Sequence, residues 1–227
     1  MINFTHEQNR RGKDFFVGDL HGNYQYLLEK LDDIEFNRVQ DRLFAVGDLI
    51  DRGRQSLDCL RLINEPWFFS VLGNHEIMLL DVLQSDADAL KITRPLHVSN
   101  GGEWAVSLSE IEKQECYQLI ISLPISRTLR ARGKSIGIIH AGWRWDWSEL
   151  VFAKSLTPLQ EEYSTWSRLD NPKALRRVEG IDVMVAGHQN TPAIERRGNQ
   201  LWIDTIGKTS TLTIICVDRV LKLAGKL

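Results

Sequence analysis

Short apolar runs that stop abruptly at glycine and a polar residue set the rhythm of the first third of the chain. Asp14 to Val17 is followed by Gly18-Asp19, Arg42 to Val46 by Gly47-Asp48, and Phe68 to Leu72 by Gly73-Asn74. Runs of this length and composition are those of buried strands. Helical spacing lies between them: Leu27, Leu28, Leu31 and Ile34 share one face of the segment Tyr24 to Ile34. Ser56 is placed to cap a helix carrying Leu57, Leu60, Leu62 and Ile63, and Ile77 to Leu83 begins another. The order β-α-β-α-β-α calls for a parallel sheet covered by helices.

The pattern then changes. Asp86 to Val98 is mixed, Asn100-Gly101-Gly102 is a turn, and Ile111 to Leu123 is helical up to Pro124. Ile125 to Ala131 and Ser135 to His140 alternate around Arg132-Gly133-Lys134, as a hairpin does. A capped helix follows from Thr157 to Ser167, with Pro158 in its first turn. Val183 to Ala186, Leu201 to Asp204 and Thr209 to Val217 supply further strands, with a second hairpin turn at Gly198-Asn199. The predicted fold class is α/β with α+β elements in the second half: a two-sheet β-sandwich flanked by helices. No linker or repeat divides residues 1–227, so a single domain is expected, with residues 1–13 as a loose N-terminal arm.

Composition narrows the function. The chain has 227 residues, 43% of them hydrophobic, which suffices for one full core. A net charge of −2 gives no basic footprint for nucleic acid. No apolar run approaches a membrane span, and the N-terminus has no secretory h-region. Cys59, Cys116 and Cys216 lie far apart in apolar segments, as reduced thiols of a cytoplasmic protein do. His6 and His97 match no motif and are expected at the surface. So are Arg176-Arg177 and Arg196-Arg197.

The polar residues at the strand ends carry the chemistry. Carboxylate, imidazole and amide ligands without thiolate suit Mn²⁺, Fe or Zn²⁺. Asp19 and His21, two apart, would face the same way on an extended segment and grip one ion. Asp48 would bridge to a second ion, completed by Asn74, His140 and His188. Two such ions clamp an in-line displacement at phosphorus, with a hydroxide held between them as nucleophile. His75 is free to act as general acid, with Asp51 orienting it. Arg52 and Arg168 suit phosphate oxygens, and Asn74 borders the same space. Asp204 is placed to hold a ligand histidine, and Glu76 to hold its loop by hydrogen bonds. Trp143, Trp145 and Trp147 alternate, which in a strand puts them on one face for packing, with a cleft wall as the sharper reading.

Gly18-Asp19-Leu20-His21-Gly22, Gly47-Asp48-Leu49-Ile50-Asp51-Arg52-Gly53 and Gly73-Asn74-His75-Glu76, in that order, resemble the signature of the metallophosphoesterases of the serine/threonine phosphoprotein phosphatase family. The small bacterial and bacteriophage members are the most similar, over residues 14 to 217. The resemblance implies a metallophosphoesterase-like fold and two divalent ions, Mn²⁺ first among them. Asp19, His21, Asp48, Asn74, His140 and His188 would be the ligands, His75 with Asp51 the acid, and Arg52 with Arg168 the phosphate grip. The implied substrate is a phosphorylated protein (phosphoserine, phosphothreonine or also phosphotyrosine) or a small phosphoester. Symmetrical diadenosine tetraphosphate hydrolysis is the enzymatic alternative, and a catalytically silent metal- or phosphate-binding regulator the non-enzymatic one. Asn23 stands where this group commonly has Cys. The loops after His140 and Asp204 also leave the family pattern, which bears on substrate preference.

Overall fold

The computed structural model describes residues 2–168 and 177–226; Arg176 lies outside the described residues. In chain order the elements are β1 (Asn3–His6), β2 (Asp14–Val17), α1 (Tyr24–Asp33), β3 (Arg42–Ala45), α2 (Ser56–Arg61), β4 (Phe68–Ser70), α3 (Asn74–Gln84), α4 (Leu90–Ser99) and α5 (Glu110–Ile121). There follow β5 (Ser126–Ala131), β6 (Lys134–Ile139), α6 (Ser148–Phe152), α7 (Pro158–Trp166), β7 (Val183–Ala186), β8 (Glu195–Arg197), β9 (Gln200–Trp202), α8 (Ile206–Thr209), β10 (Ile214–Cys216) and α9 (Val217–Leu223).

Among the described residues the strands form two sheets, one of order β10-β2-β3-β4 and one of order β1-β5-β6-β7-β9-β8. In the first, β2, β3 and β4 run parallel, joined through α1 and α2 as the sequence pattern required. In the second, β6, β7 and β9 run parallel, while β5 and β8 pair antiparallel. The sheets face each other across a core set by the period of two. Phe16, Phe44 and Phe69 lie in register across the first sheet; Leu129, Ile136 and Val183 do so across the second. All but the half-buried Phe69 are fully buried in the inter-sheet cluster. Phe15, Val17, Leu43 and Ala45, one step out of phase, turn outward to pack with Leu27 and Leu31 of α1 and Leu60 of α2. A third cluster covers the outer face of the larger sheet with Trp143, Trp147, Leu150 and Met184.

Several expectations change. Residues 3–6 are not a loose arm: β1 pairs in parallel with β5, Asn3 opposite Ser126 through His6 opposite Leu129. Four residues of mixed polarity carry too little period to announce a strand, and the β5 edge supplies the hydrogen bonds that fix them. His6 is buried, not at the surface, between the rings of Phe4, Phe44 and Phe69. Residues 90–99 form a helix despite Pro95. Ser56 is the first residue of α2 and not its cap; its hydroxyl accepts from Asp51 N at 2.9 Å. Val217, expected to end a strand, instead begins the helix Val217–Leu223. Trp143 to Trp147 is not a strand: Trp143 and Trp147 are core residues, and Trp145 packs beside Tyr163. No described helix is long and apolar enough to cross a membrane.

Candidate metal centre

The carboxyl ends of six strands converge. β2 leads to Asp19, β3 to Asp48, β4 to Asn74, β6 to His140, β7 to His188 and β9 to Asp204. These strands are the two parallel triplets, three from each sheet, so the site straddles both sheets at the edge where α/β proteins bind ligands. The turns that bring the side chains inward are tight. His21, Asp48, Asp51, Arg52 and His188 all have positive φ, between 44° and 72°. For residues other than glycine each such turn costs on the order of 1–3 kcal/mol and persists only where the surroundings impose it. His21 therefore leaves the strand end through a left-handed turn, not along the extended segment expected, and lines the same cavity as Asp19.

Hydrogen bonds hold these turns. Glu76 Oε2 accepts from Asp48 N at 2.9 Å and Gly73 N at 3.0 Å, and Oε1 from Leu49 N at 2.8 Å. One buried carboxylate thus ties the second motif to the third, the role expected of it. Leu20 N and His21 N both donate to Asp48 O, each at 3.0 Å, tying in the first motif.

Two of the three histidines expected as ligands, His21 and His140, are oriented by main-chain carbonyls. Nδ1 of His21 donates to Ile50 O at 3.0 Å, and Nδ1 of His140 to Val46 O at 2.8 Å. Each ring therefore presents an Nε2 lone pair to the site. Asp204, expected to hold one of them, instead stands buried with Oδ1 unpartnered among the described residues.

The donor set fits a pair of cations. His140 Nε2 lies 3.3 Å from Asp48 Oδ1 and 2.9 Å from Asn74 Oδ1, and His188 Nδ1 lies 2.9 Å from the same amide oxygen. With metal–ligand bonds of about 2.1 Å, ligands at right angles sit roughly 3.0 Å apart. Asp48 presents its other oxygen, Oδ2, to His21 Nε2 at 3.9 Å. Asp48, His140 and His188 form one metal-competent group, and His21, Asp48 and His75 another. Asp48 belongs to both, as a bridge must; the second group brings in His75, expected as the acid, and among the described residues neither group includes Asp19, expected as a ligand. Asp19 takes His188 N on both oxygens, at 3.3 and 3.1 Å.

Charge supports this reading. Burial, then the Asp204 and Asp48 carboxylates, raises Asp19 well above the usual carboxylate range. Burial and Asp48 push Asp204 up to about 6. Burial draws His21 down to about 4 and, with His140 next, His188 down to about 3. Against the burial of both, Asp48 raises His140, and His140 with His75 holds Asp48 well below the usual carboxylate range. Buried carboxylates that repel one another beside the neutral imidazoles of His21 and His188 call for divalent cations.

The remaining predicted residues border the same space. A cavity of about 110 Å³ is lined by Asp19, His21, Asp48, Arg52, Asn74 and His75, together with Asn100, Trp166, Arg168, His188, Asn190 and Asp204. His75 Nδ1 donates to Asp51 Oδ2 at 2.7 Å. The Arg52 guanidinium spans the mouth, 2.7 Å from His21 Nε2 and 3.0 Å from His75 Nε2. Lys208 is exposed and lines no part of the cavity.

Sequence reasoning missed three side chains here. Trp166, 40% exposed, is the aromatic wall beside His188, at a ring distance of 6.5 Å. Its position two residues before Arg168 was the available signal. His97, expected at the surface, is 1% exposed with Nε2 3.0 Å from each Asp51 oxygen, and Trp104 Nε1 donates to Asp51 Oδ1 at 2.7 Å. Their nearness to Asn100-Gly101-Gly102 was the only hint.

Known proteins are similar to this chain. The model of the family described as calcineurin-like phosphoesterase matches residues 15–204. Serine/threonine-protein phosphatase 2 of Escherichia coli (strain K12) is 35% identical over 196 residues, 83% of this chain and 85% of that protein. A symmetrical bis(5'-nucleosyl)-tetraphosphatase of Wigglesworthia glossinidia brevipalpis is 33% identical over 141 residues, 60% of this chain and 48% of its own length. A solved protein serine/threonine phosphatase from Saccharomyces cerevisiae shares the fold. Its TM-score is 0.58 at 16% identity, with 89% of this chain and 70% of that one covered.

Proposed function

This chain belongs to the calcineurin-like phosphoesterase family, and from that premise we propose that it is a dinuclear metal-dependent serine/threonine protein phosphatase, active also on phosphotyrosine. The observation that carries this reading is Asp48, whose two oxygens face two groups of nitrogen and oxygen donors. The similarity to serine/threonine-protein phosphatase 2 over most of both chains favours a phosphoprotein substrate.

In this reading Asp19, His21 and Asp48 hold one divalent ion, and Asp48, Asn74, His140 and His188 the other, with Mn²⁺ as the native pair. When bound, the ions supply a water acidic enough to attack phosphorus at neutral pH and neutralise phosphoryl charge. Arg52 swings its planar fork from the two imidazoles onto the phosphoryl oxygens, Arg168 approaches them from the cavity wall, and the Asn74 amide borders them. His75 keeps Nδ1 on Asp51 and turns Nε2 inward, where it delivers a proton to the departing seryl or threonyl oxygen. Three free thiols, with burial pushing Cys116 up to about 12, suit a reducing cytoplasm.

Symmetrical dinucleoside tetraphosphate hydrolysis is the second reading. The observation favouring it is Trp166, whose half-open face could stack a nucleobase beside the site. A side-by-side measurement of kcat/KM on phosphoserine, phosphothreonine and phosphotyrosine peptides and on diadenosine tetraphosphate, with Mn²⁺ loaded, separates the two. The proposal expects the phosphopeptides to be preferred; a preference for the dinucleotide overturns it.

A further inference from the structure

Helix α4 is an anomaly of packing. Of its ten residues, all of them described, His97 alone is buried, while Ile92 and Leu96 stand 73% and 51% exposed. The helix carries Pro95 in its interior, at a cost. Its buried contact is polar: His97 Nε2 donates to Asp51 between the two carboxylate oxygens. The following turn is built around that contact. A Cβ on Gly102 would lie 2.4 Å from His97 Nε2, and a Cβ on Gly101 would lie 2.7 Å from Arg52 N. Gly101 O accepts from Arg52 N at 2.9 Å, so the same turn also fixes the Arg52 loop. Trp104, just past the turn, gives its indole N–H to Asp51.

Asp51 is wholly buried and receives three side-chain donors. Oδ2 takes His75 and His97, and Oδ1 takes Trp104 and His97. The carboxylate torsion of aspartate is soft. A single donor from His75 would leave the plane of the group free to turn, and the orientation of His75 with it. Two donors from the opposite side remove that freedom. They also keep the group ionised: burial opposes the charge, but hydrogen bonds from His75, His97 and Trp104 hold Asp51 below its usual value.

We propose that His97, assisted by Trp104, is a positioning residue for the reaction: it locks the Asp51 carboxylate so that His75 points its acid nitrogen at the leaving oxygen. The proposal rests on the phosphatase reading with His75 as acid. It predicts a dependence on the leaving group that a purely structural histidine would not show. An alkoxide needs its proton in the transition state, whereas p-nitrophenolate is a stable anion and leaves without one.

The test uses the full chain loaded with Mn²⁺, with a phosphoserine peptide and p-nitrophenyl phosphate as substrates. His97→Ala is expected to lower kcat on the peptide by roughly 10-fold or more, the usual loss on removing an orienting partner. On p-nitrophenyl phosphate the loss should stay within about threefold, with KM unchanged on both. His97→Gln, which keeps one N–H for Asp51, should recover most of the peptide activity. Trp104→Phe, which removes only the indole donor, should show the same substrate bias more weakly. It decides the matter together with His97→Gln if His97→Ala fails to fold by circular dichroism. Equal losses on both substrates, or none, overturn the positioning role. His75→Asn runs in parallel. If it shows the bias and the His97 and Trp104 variants do not, the positioning role alone falls. If it shows none, the acid assignment beneath falls and takes the proposal with it.

Discussion

His75 and Asp51 are joined by a 2.7 Å hydrogen bond from Nδ1 to Oδ2, with both side chains closed to solvent and His75 Nε2 left facing the cavity. With its inner nitrogen fixed on Asp51 and its outer nitrogen turned to the cavity, 3.0 Å from the Arg52 guanidinium, the ring can exchange a proton along one direction. The ring hangs from the first turn of α3, one residue after Asn74, so the proposed acid and one proposed ligand share a helix start.

The first prediction concerns that ring. His75→Asn should lower kcat on an alkyl phosphate by roughly 10²–10⁴-fold, the usual worth of general acid catalysis. Metal content, read by inductively coupled plasma mass spectrometry, should match wild type. An unchanged kcat removes His75 from the acid role.

Asp48 should behave in the opposite way. Its oxygens face His140 at 3.3 Å and His21 at 3.9 Å, so Asp48→Asn removes the one group shared by both donor sets. Purified Asp48→Asn should carry fewer than two ions per chain in equilibrium dialysis against Mn²⁺. Full occupancy would refute the bridge.

Glu76 tests the scaffold beneath the chemistry. Glu76→Ala strips acceptors from three buried backbone N–H groups, those of Asp48, Leu49 and Gly73. At about 1–3 kcal/mol for each buried donor left unsatisfied, the loss should reach at least about 3 kcal/mol in urea unfolding. A change below about 1 kcal/mol would mean that the motif turns hold without it.

His6 gives a pH signature remote from the metal centre. Burial, then Arg127 and Arg42, draws it down to about 3, and Arg127 lies 2.9 Å from its Nε2. The unfolded histidine titrates near 6.5, so below that pH the unfolded chain takes up a proton that native His6 refuses. Its contribution is therefore complete above about pH 6.5 and is lost as pH falls toward 3, by up to about 1.4 kcal/mol per unit. Between pH 6.5 and 4.5 the wild-type chain should lose stability more steeply than His6→Gln. Parallel curves would contradict the buried neutral state.

What the sequence made legible follows from which signals are local. Asp14–Val17, Arg42–Ala45 and Val183–Ala186 stood out because each is a buried apolar run closed by glycine, and the proposed ligands Asp19, Asp48 and His188 follow those runs. The hairpin of Ser126–Ala131 and Lys134–Ile139 was legible from alternation around one turn. His97 was not, because its partner Asp51 lies 46 residues away and α4 has no apolar stripe to reveal it. Pro95 argued against the helix that carries it. Asn3–His6 was illegible because an edge strand of four mixed residues owes its shape to the pairing with Ser126–Leu129, not to its own period. Asp204 lines the cavity, but its Oδ1 meets no ligand-candidate histidine among the described residues. Main-chain carbonyls of Ile50 and Val46 orient His21 and His140, and nothing in a side-chain pattern announces a carbonyl.

The most direct test of the central claim is release of inorganic phosphate from a phosphoserine peptide by the purified chain, before and after exhaustive chelation and on return of Mn²⁺. Turnover that disappears with the chelator, returns as two ions per chain are restored and is absent in Asp48→Asn is the predicted result. No phosphate release with Mn²⁺, Fe²⁺ or Zn²⁺ would contradict it.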